Sequence, residues 1–243
     1  MTEIAMSSIL ALDSAAGACS AALFTDGEVR RREWAAMARG HAEALMPMVA
    51  TVMDGQDYKD LDAIAVTIGP GAYTGLRIGL AAARGLALAA HLPVIGVSSF
   101  KAVARGAREA EAPVGPMLVV LETKRADLYV QSFDAGLVPS SEPACLLPDA
   151  AAAAFPALWA EPVVLAGDAA LRLLAALSRS HRVTVAPGDG LADAAIVANE
   201  AAESLISAPA PRDVLLPRPL YLRPPDVSPP TADQHHLRGG TGK

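Results

Sequence analysis

The chain has 243 residues, room for one large domain or two small ones, with 52% hydrophobic residues but only 4% aromatic ones. Its core must therefore be filled by Ala, Leu and Val with backbones close together. A formal net charge of −6 excludes the overall basic character of an autonomous nucleic-acid binder, and two cysteines, Cys19 and Cys145, exclude a disulfide framework or zinc ribbon and suit a reducing cytosol.

The opening residues carry no basic export signal, since the apolar run 9–12 is stopped by Asp13. The stretch 80–97 is broken by Arg84, His91 and Pro93, and 144–160 by Pro148 and Asp149. Neither reaches the ~20 apolar residues of a membrane span, so a soluble cytoplasmic protein is expected.

In chain order, 8–12 reads as a buried strand, followed by the small-residue turn 13–17 and a second strand over 18–24. Asp26-Gly27 supplies a tight hairpin into a third strand, 28–34. Leu45, Met48, Val49 and Val52 recur at helical spacing within 41–53, where Pro47 should kink the helix or mark its start. Residues 62–68 form a strand that Gly69-Pro70-Gly71 breaks, 73–90 a long helix with Thr74 as a natural N-cap, and 93–97 a short strand. The second half repeats the opening: strand 117–121, polar turn 122–125, returning strand 126–133. Helix 148–159, strand 162–166, helix 168–178, strand 181–185 and helix 191–206 follow. Two similar α/β halves are expected, the second shorter in its strands, with a boundary in 104–115. From about residue 224 the proline-rich tail should be disordered.

The strongest local signal is the segment 69–79, whose helix carries Gly75, Gly79, Ala83 and Ala87 at intervals of four. Each interior glycine costs about 1 kcal/mol relative to alanine. Such a stripe suits close approach of another backbone, from within the chain or from a second protein. The rival reading, a phosphate cradle, lacks both the Gly-Lys-Ser/Thr ending of a P-loop and the Gly-x-Gly-x-x-Gly fingerprint. Asp13-Ser14 stands where actin-like ATPases and sugar kinases place a carboxylate that works with Mg-phosphate; the plainer reading is a turn cap. The repeated turn 122–125 has no glycine to let a nucleotide approach its amides, so independent ATP turnover is not expected. His41 has no second imidazole four residues on, because Leu45 stands there, and no Gly-x-Ser-x-Gly elbow appears. No catalytic residue, metal ligand or cofactor is expected.

Residues 9–14 and 19–23, His41 with 45–49, the segment 69–79 running into 85–87, 93–99 and the late Leu220-Tyr221-Leu222-Arg223 together resemble the TsaB (YeaZ) family over about residues 8–223. The Gly-Pro-Gly-x-x-Thr-Gly-x-Arg-x-Gly run is the most specific part. The resemblance implies two similar actin/Hsp70/sugar-kinase-like (ASKHA) half-domains, the second reduced, over 1–105 and 106–223, with 224–243 a tail. It also implies a non-catalytic subunit of the tRNA threonylcarbamoyl-transfer complex. Its partner would be a TsaD-like paralogue, joined by a TsaE-like ATPase in the larger complex. The modification lies beside the anticodon of tRNAs reading A-starting codons, and tRNA would be met only through the complex. The two helices 41–53 and 73–90 would form the partner face, with His41, Leu45, Met48, Val49, Val52, Gly75, Arg77, Ile78, Gly79, Ala82 and Ala83 as its residues. The same face could pair two copies of the isolated chain. Asp13 and Ser14 would be a vestigial phosphate loop. Glu122 stands where the family usually has Asp, which leaves the role of the second turn open. The alternatives are an autonomous ATP-dependent phosphotransferase or a metallopeptidase-like enzyme of the same superfamily.

Overall fold

The computed structural model describes residues 7–156, 158–178, 182–207 and 217–223. The tail expected from residue 224 lies outside the described residues. Strands β1 (Ile9–Asp13), β2 (Ala18–Thr25), β3 (Glu28–Ala36), β4 (Ala63–Gly69) and β5 (Val94–Ser98) form one sheet in the order β3-β2-β1-β4-β5. Strands β6 (Met117–Glu122), β7 (Leu128–Phe133), β8 (Ala144–Leu146), β9 (Val163–Ala166) and β10 (Val183–Val185) form a second, in the order β10-β9-β6-β7-β8. In both, the first three strands are antiparallel neighbours and the last two run parallel to the first. Read from β8, the second sheet repeats the first strand for strand.

The helices divide among three layers. α1 (His41–Val52) and α2 (Tyr73–Ala90) cover the outer face of the first sheet through Leu45, Val49, Val52, Leu80, Ala83 and Ala87. α4 (Pro148–Ala154) and α5 (Ala170–Leu174) cover the outer face of the second through Ala151, Ala170 and Leu173. Between the sheets lie α3 (Ser99–Glu109) and α6 (Ala194–Ser207). This shared core joins Ile9, Ala11 and Ala65 of one sheet to Met117, Val119 and Val164 of the other. Alternation along each strand makes such a sandwich possible. Leu10 and Leu12 point to the outer helices while Ile9 and Ala11 point to the central layer. A buried carboxylate holds the two central helices together, for Glu200 of α6 meets Lys101 at 2.6 Å and Arg105 at 3.3 Å on α3.

Several expectations need correction. Thr74 does not cap α2. Ala72 is the N-cap residue and no side chain bonds there, because the helix start is instead fixed by the Ala72 amide donating to the Ala15 carbonyl at 2.7 Å. Pro47 lies inside α1, whose start is His41. Helix α3 overlaps the first part of the boundary expected in 104–115. Strand β8 was not anticipated, and the helices expected over 148–159 and 168–178 are the shorter α4 and α5.

Candidate functional site

Three places hold the residues singled out in the sequence: the turn after β1, the matching turn after β6, and the outward surface of α1 and α2.

At the first turn, the glycine stripe of α2 is spent within the chain. A Cβ at Gly75 would run into the Ser14 carbonyl oxygen, one at Gly71 into that of Ala15, and one at Gly79 would lie 2.8 Å from Ser14 Oγ. The Ser14 hydroxyl donates to the Gly75 carbonyl at 2.9 Å. Only glycine lets the helix lie this close to the turn. Asp13 is buried beneath it. One carboxylate oxygen accepts from the Thr67 hydroxyl and, at 3.3 Å, from the Ala15 amide, while the other has no partner. Burial pushes the Asp13 pKa up to about 7; the Thr67 bond opposes this and the nearby Asp193 carboxylate adds to it. Asp193 is itself held by the guanidinium of Arg32.

At the second turn, side chains take over from glycine. Glu122 accepts from the Lys124 amide at 2.6 Å and pairs with Arg172, which also donates to the carbonyls of Arg125 (2.7 Å) and Ala126 (3.1 Å). Asp168 accepts from the Glu122 amide at 2.8 Å, and burial raises its pKa. Arg223 pairs with Asp127 at 3.1 Å. Between the two turns, Ala15, Ala16, Gly71, Ser99, Glu122 and Leu191 line a cavity of about 20 Å³. It adjoins a larger cavity of about 400 Å³ that shares Asp168, Gly190 and Leu191 with it and is also lined by Arg32, Gly167 and Asp193.

On the α1–α2 surface, the expected partner residues separate. Leu45, Val49, Val52, Gly75, Gly79 and Ala83 are buried in the chain's own core, so they support this face from behind and do not form it. Arg77 is exposed, and His41, Met48, Ile78 and Ala82 are partly so. His41 Nε2 lies 3.0 Å from the Ala16 carbonyl oxygen, tying α1 to the first turn. The outward ridge of α2 runs Tyr73, Arg77, Ala81, Gly85 and Ala89, with Leu88 beside it 79% exposed. On α1, Met46 is 43% exposed. The sequence reading did not anticipate Arg172, Asp168, Arg32 or Asp193. Each acts through a partner 46 to 161 positions away, which no local pattern reveals.

The duplicated sheet order, with two helices enclosed between the sheets, defines the chain as an actin/Hsp70/sugar-kinase-like α/β protein. A family model for TsaD, tRNA N6-adenosine threonylcarbamoyltransferase, matches residues 35–137. Among curated proteins, the tRNA threonylcarbamoyladenosine biosynthesis protein TsaB of Escherichia coli is 38% identical over 123 residues, covering 50% of this chain and 52% of that one. The TsaB of Haemophilus influenzae is 40% identical over 103 residues, covering 42% and 43%. The matches thus span about half the length of these relatives or less. Over nearly the whole fold, the solved structure of YeaZ from Pseudomonas aeruginosa superposes with a TM-score of 0.76 at 27% identity, covering 89% of this chain and all of that one. The chain is thus similar to proteins of the TsaB/YeaZ family, whose curated members carry the name of tRNA threonylcarbamoyladenosine biosynthesis.

Proposed function

We propose that this chain is a cytoplasmic, non-catalytic subunit that binds a TsaD-like paralogue through the outer faces of α1 and α2. It thereby supports formation of N6-threonylcarbamoyladenosine next to the anticodon of tRNAs reading A-starting codons. A TsaE-like ATPase would join the larger complex, tRNA would be met only through it, and the same face would pair two copies of the isolated chain.

The observation that carries this reading is Gly85. It sits in the interior of an 18-residue helix, at a cost of about 1 kcal/mol relative to alanine. Yet a Cβ there would meet nothing within 4 Å, so no contact inside the chain calls for a glycine. With Ala81, Ala89 and exposed Leu88 around it, the ridge suits a second helix lying close against α2. The second turn, whose carboxylate Glu122 is paired with Arg172, supports a binding subunit over an autonomous phosphotransferase.

Sedimentation velocity with the TsaD-like protein of the same genome tests this. A one-to-one heterodimer is expected from the wild type. Leu88→Glu should abolish it while leaving the melting temperature unchanged, because Leu88 already faces solvent. Failure of the wild type to form the heterodimer would refute the reading.

A further inference from the structure

Residues 217–223 run as a strap across the first half, fixed at several points. The Leu220 amide donates to the Ile68 carbonyl at 2.7 Å, and Arg84 Nη2 donates to the Pro217 carbonyl at 2.6 Å. Pro217 also packs over Gly96, where a Cβ would come within 2.8 Å of it. At its far end Arg223 reaches the second turn through Asp127. The strap therefore bridges both halves and lies against the start of α2.

What it delivers there is Tyr221. The ring of Tyr221 lies 5.5 Å from that of Tyr73, and Arg77 stacks its guanidinium 3.9 Å over the Tyr73 ring while its Nε donates to the Tyr221 hydroxyl at 3.3 Å. Both rings are nearly half exposed, Tyr73 at 47% and Tyr221 at 42%. Arg77 forms no ion pair with a carboxylate among the described residues, whereas Arg32, Arg172 and Arg223 all do. This chain of net charge −6 thus presents a guanidinium stacked on Tyr73 and hydrogen-bonded to Tyr221, with no carboxylate paired to it among the described residues. Tyr and Arg are the side chains that most often dominate binding energy at interfaces, and a rigid cation loses less freedom on docking than a mobile one.

Tyr73 and Arg77 are also the first members of the outward α2 ridge that continues through Ala81 and Gly85. Building on the partner-binding reading above, we infer that the strap completes the partner surface of α2: Tyr221 presents Arg77 to a carboxylate on the partner protein. A partner helix that follows the small ridge meets this cation at the ridge's end. A negative side chain satisfies it, and an apolar one leaves a charge buried without compensation. RNA is the less favoured occupant, since Arg223, two positions from Tyr221, is already paired with Asp127 and the chain's net charge is −6.

The test is the dissociation constant of the full-length chain for the TsaD-like protein, measured for wild type, Arg77→Ala, Tyr221→Ala and Tyr221→Phe, with a thermal melt of each. Arg77→Ala and Tyr221→Ala should each weaken binding about tenfold or more, and the double variant should lose little beyond either single one. Tyr221→Phe, which keeps the ring and cannot accept from Arg77, should fall between. Wild-type affinity should drop as sodium chloride rises, and that dependence should flatten in Arg77→Ala. If the heterodimer forms and Arg77→Ala binds as wild type does, the inference fails and the partner-binding reading survives. If wild type forms no heterodimer, that reading fails and this inference falls with it. Binding of a labelled tRNA by the isolated chain that is lost in Arg77→Ala would overturn the choice of a protein carboxylate in favour of RNA.

Discussion

The two halves share one strand order and close the same turn by different means. In the first half, Ser14 and Ala15 are packed backbone to backbone against α2 through Gly71 and Gly75, and the carboxylate that ends β1, Asp13, has no cation beside it. In the second, the carboxylate that ends β6, Glu122, is paired with Arg172, which also satisfies two carbonyls of the turn. The outer layers differ as sharply. Helices of 12 and 18 residues cover the first sheet, and helices of 7 and 5 cover the second. The second half retains enough to complete the central core. The first has kept an outer layer much longer than its sheet requires, and that surplus surface faces outward along α2.

This contrast can be broken most directly at Gly75. Gly75→Leu should destabilise the fold by about 3 kcal/mol or more, read from urea denaturation, because the Ser14 backbone has no room to retreat. A loss under 1 kcal/mol would mean that helix and turn are not locked together.

Asp13 sharpens the comparison through pH. Its folded-state pKa of about 7 lies above the ordinary 3.8, so the folded chain holds this proton more tightly than the unfolded one. The resulting stability is present in full below pH 4 and is lost as pH rises through 7. Asp13→Asn should remove that dependence and be more stable than wild type at pH 8 by roughly 1–3 kcal/mol. Parallel urea midpoints for the two proteins from pH 4 to 8 would contradict the assignment. Arg172→Ala should have the smallest effect, about 1 kcal/mol in the same assay, since its pair with Glu122 is partly open to solvent. If it cost as much as Gly75→Leu, the two turns would not differ as described.

Much of this was legible locally. The span of α2 follows from the sequence directly, and β1 and β2 to within a residue, because strand runs and turn residues bound them clearly. Helix α3 is hard to see in the sequence, although Phe100, Val103, Ala104 and Ala107 recur at helical spacing, because Lys101, Arg105, Gly106 and Arg108 dilute the pattern. Strand β8 is three residues on a sheet edge and leaves almost no trace. Faces are harder to read than spans. In α2 both Gly75-Gly79-Ala83-Ala87 and Ala81-Gly85-Ala89 are stripes of small residues, and an alanine-rich helix offers too little polarity to tell inside from outside. A turn some 60 positions earlier decides it, through Ser14 on Gly75.

The enclosed position of α6 has a consequence for synthesis. The five strands of the first sheet are complete once residue 98 has left the ribosome, and α1 and α2 can cover one side at once. The other side, with Ile9, Ala11, Ala22 and Ala65, is closed by α6, the last helix of the described chain. The nascent first half, where α3 can reach only β4 and β5, therefore keeps β1 and β2 apolar and uncovered on that side until residues 194–207 emerge. Neither half reaches its final packing before residues 194–207 have been synthesised.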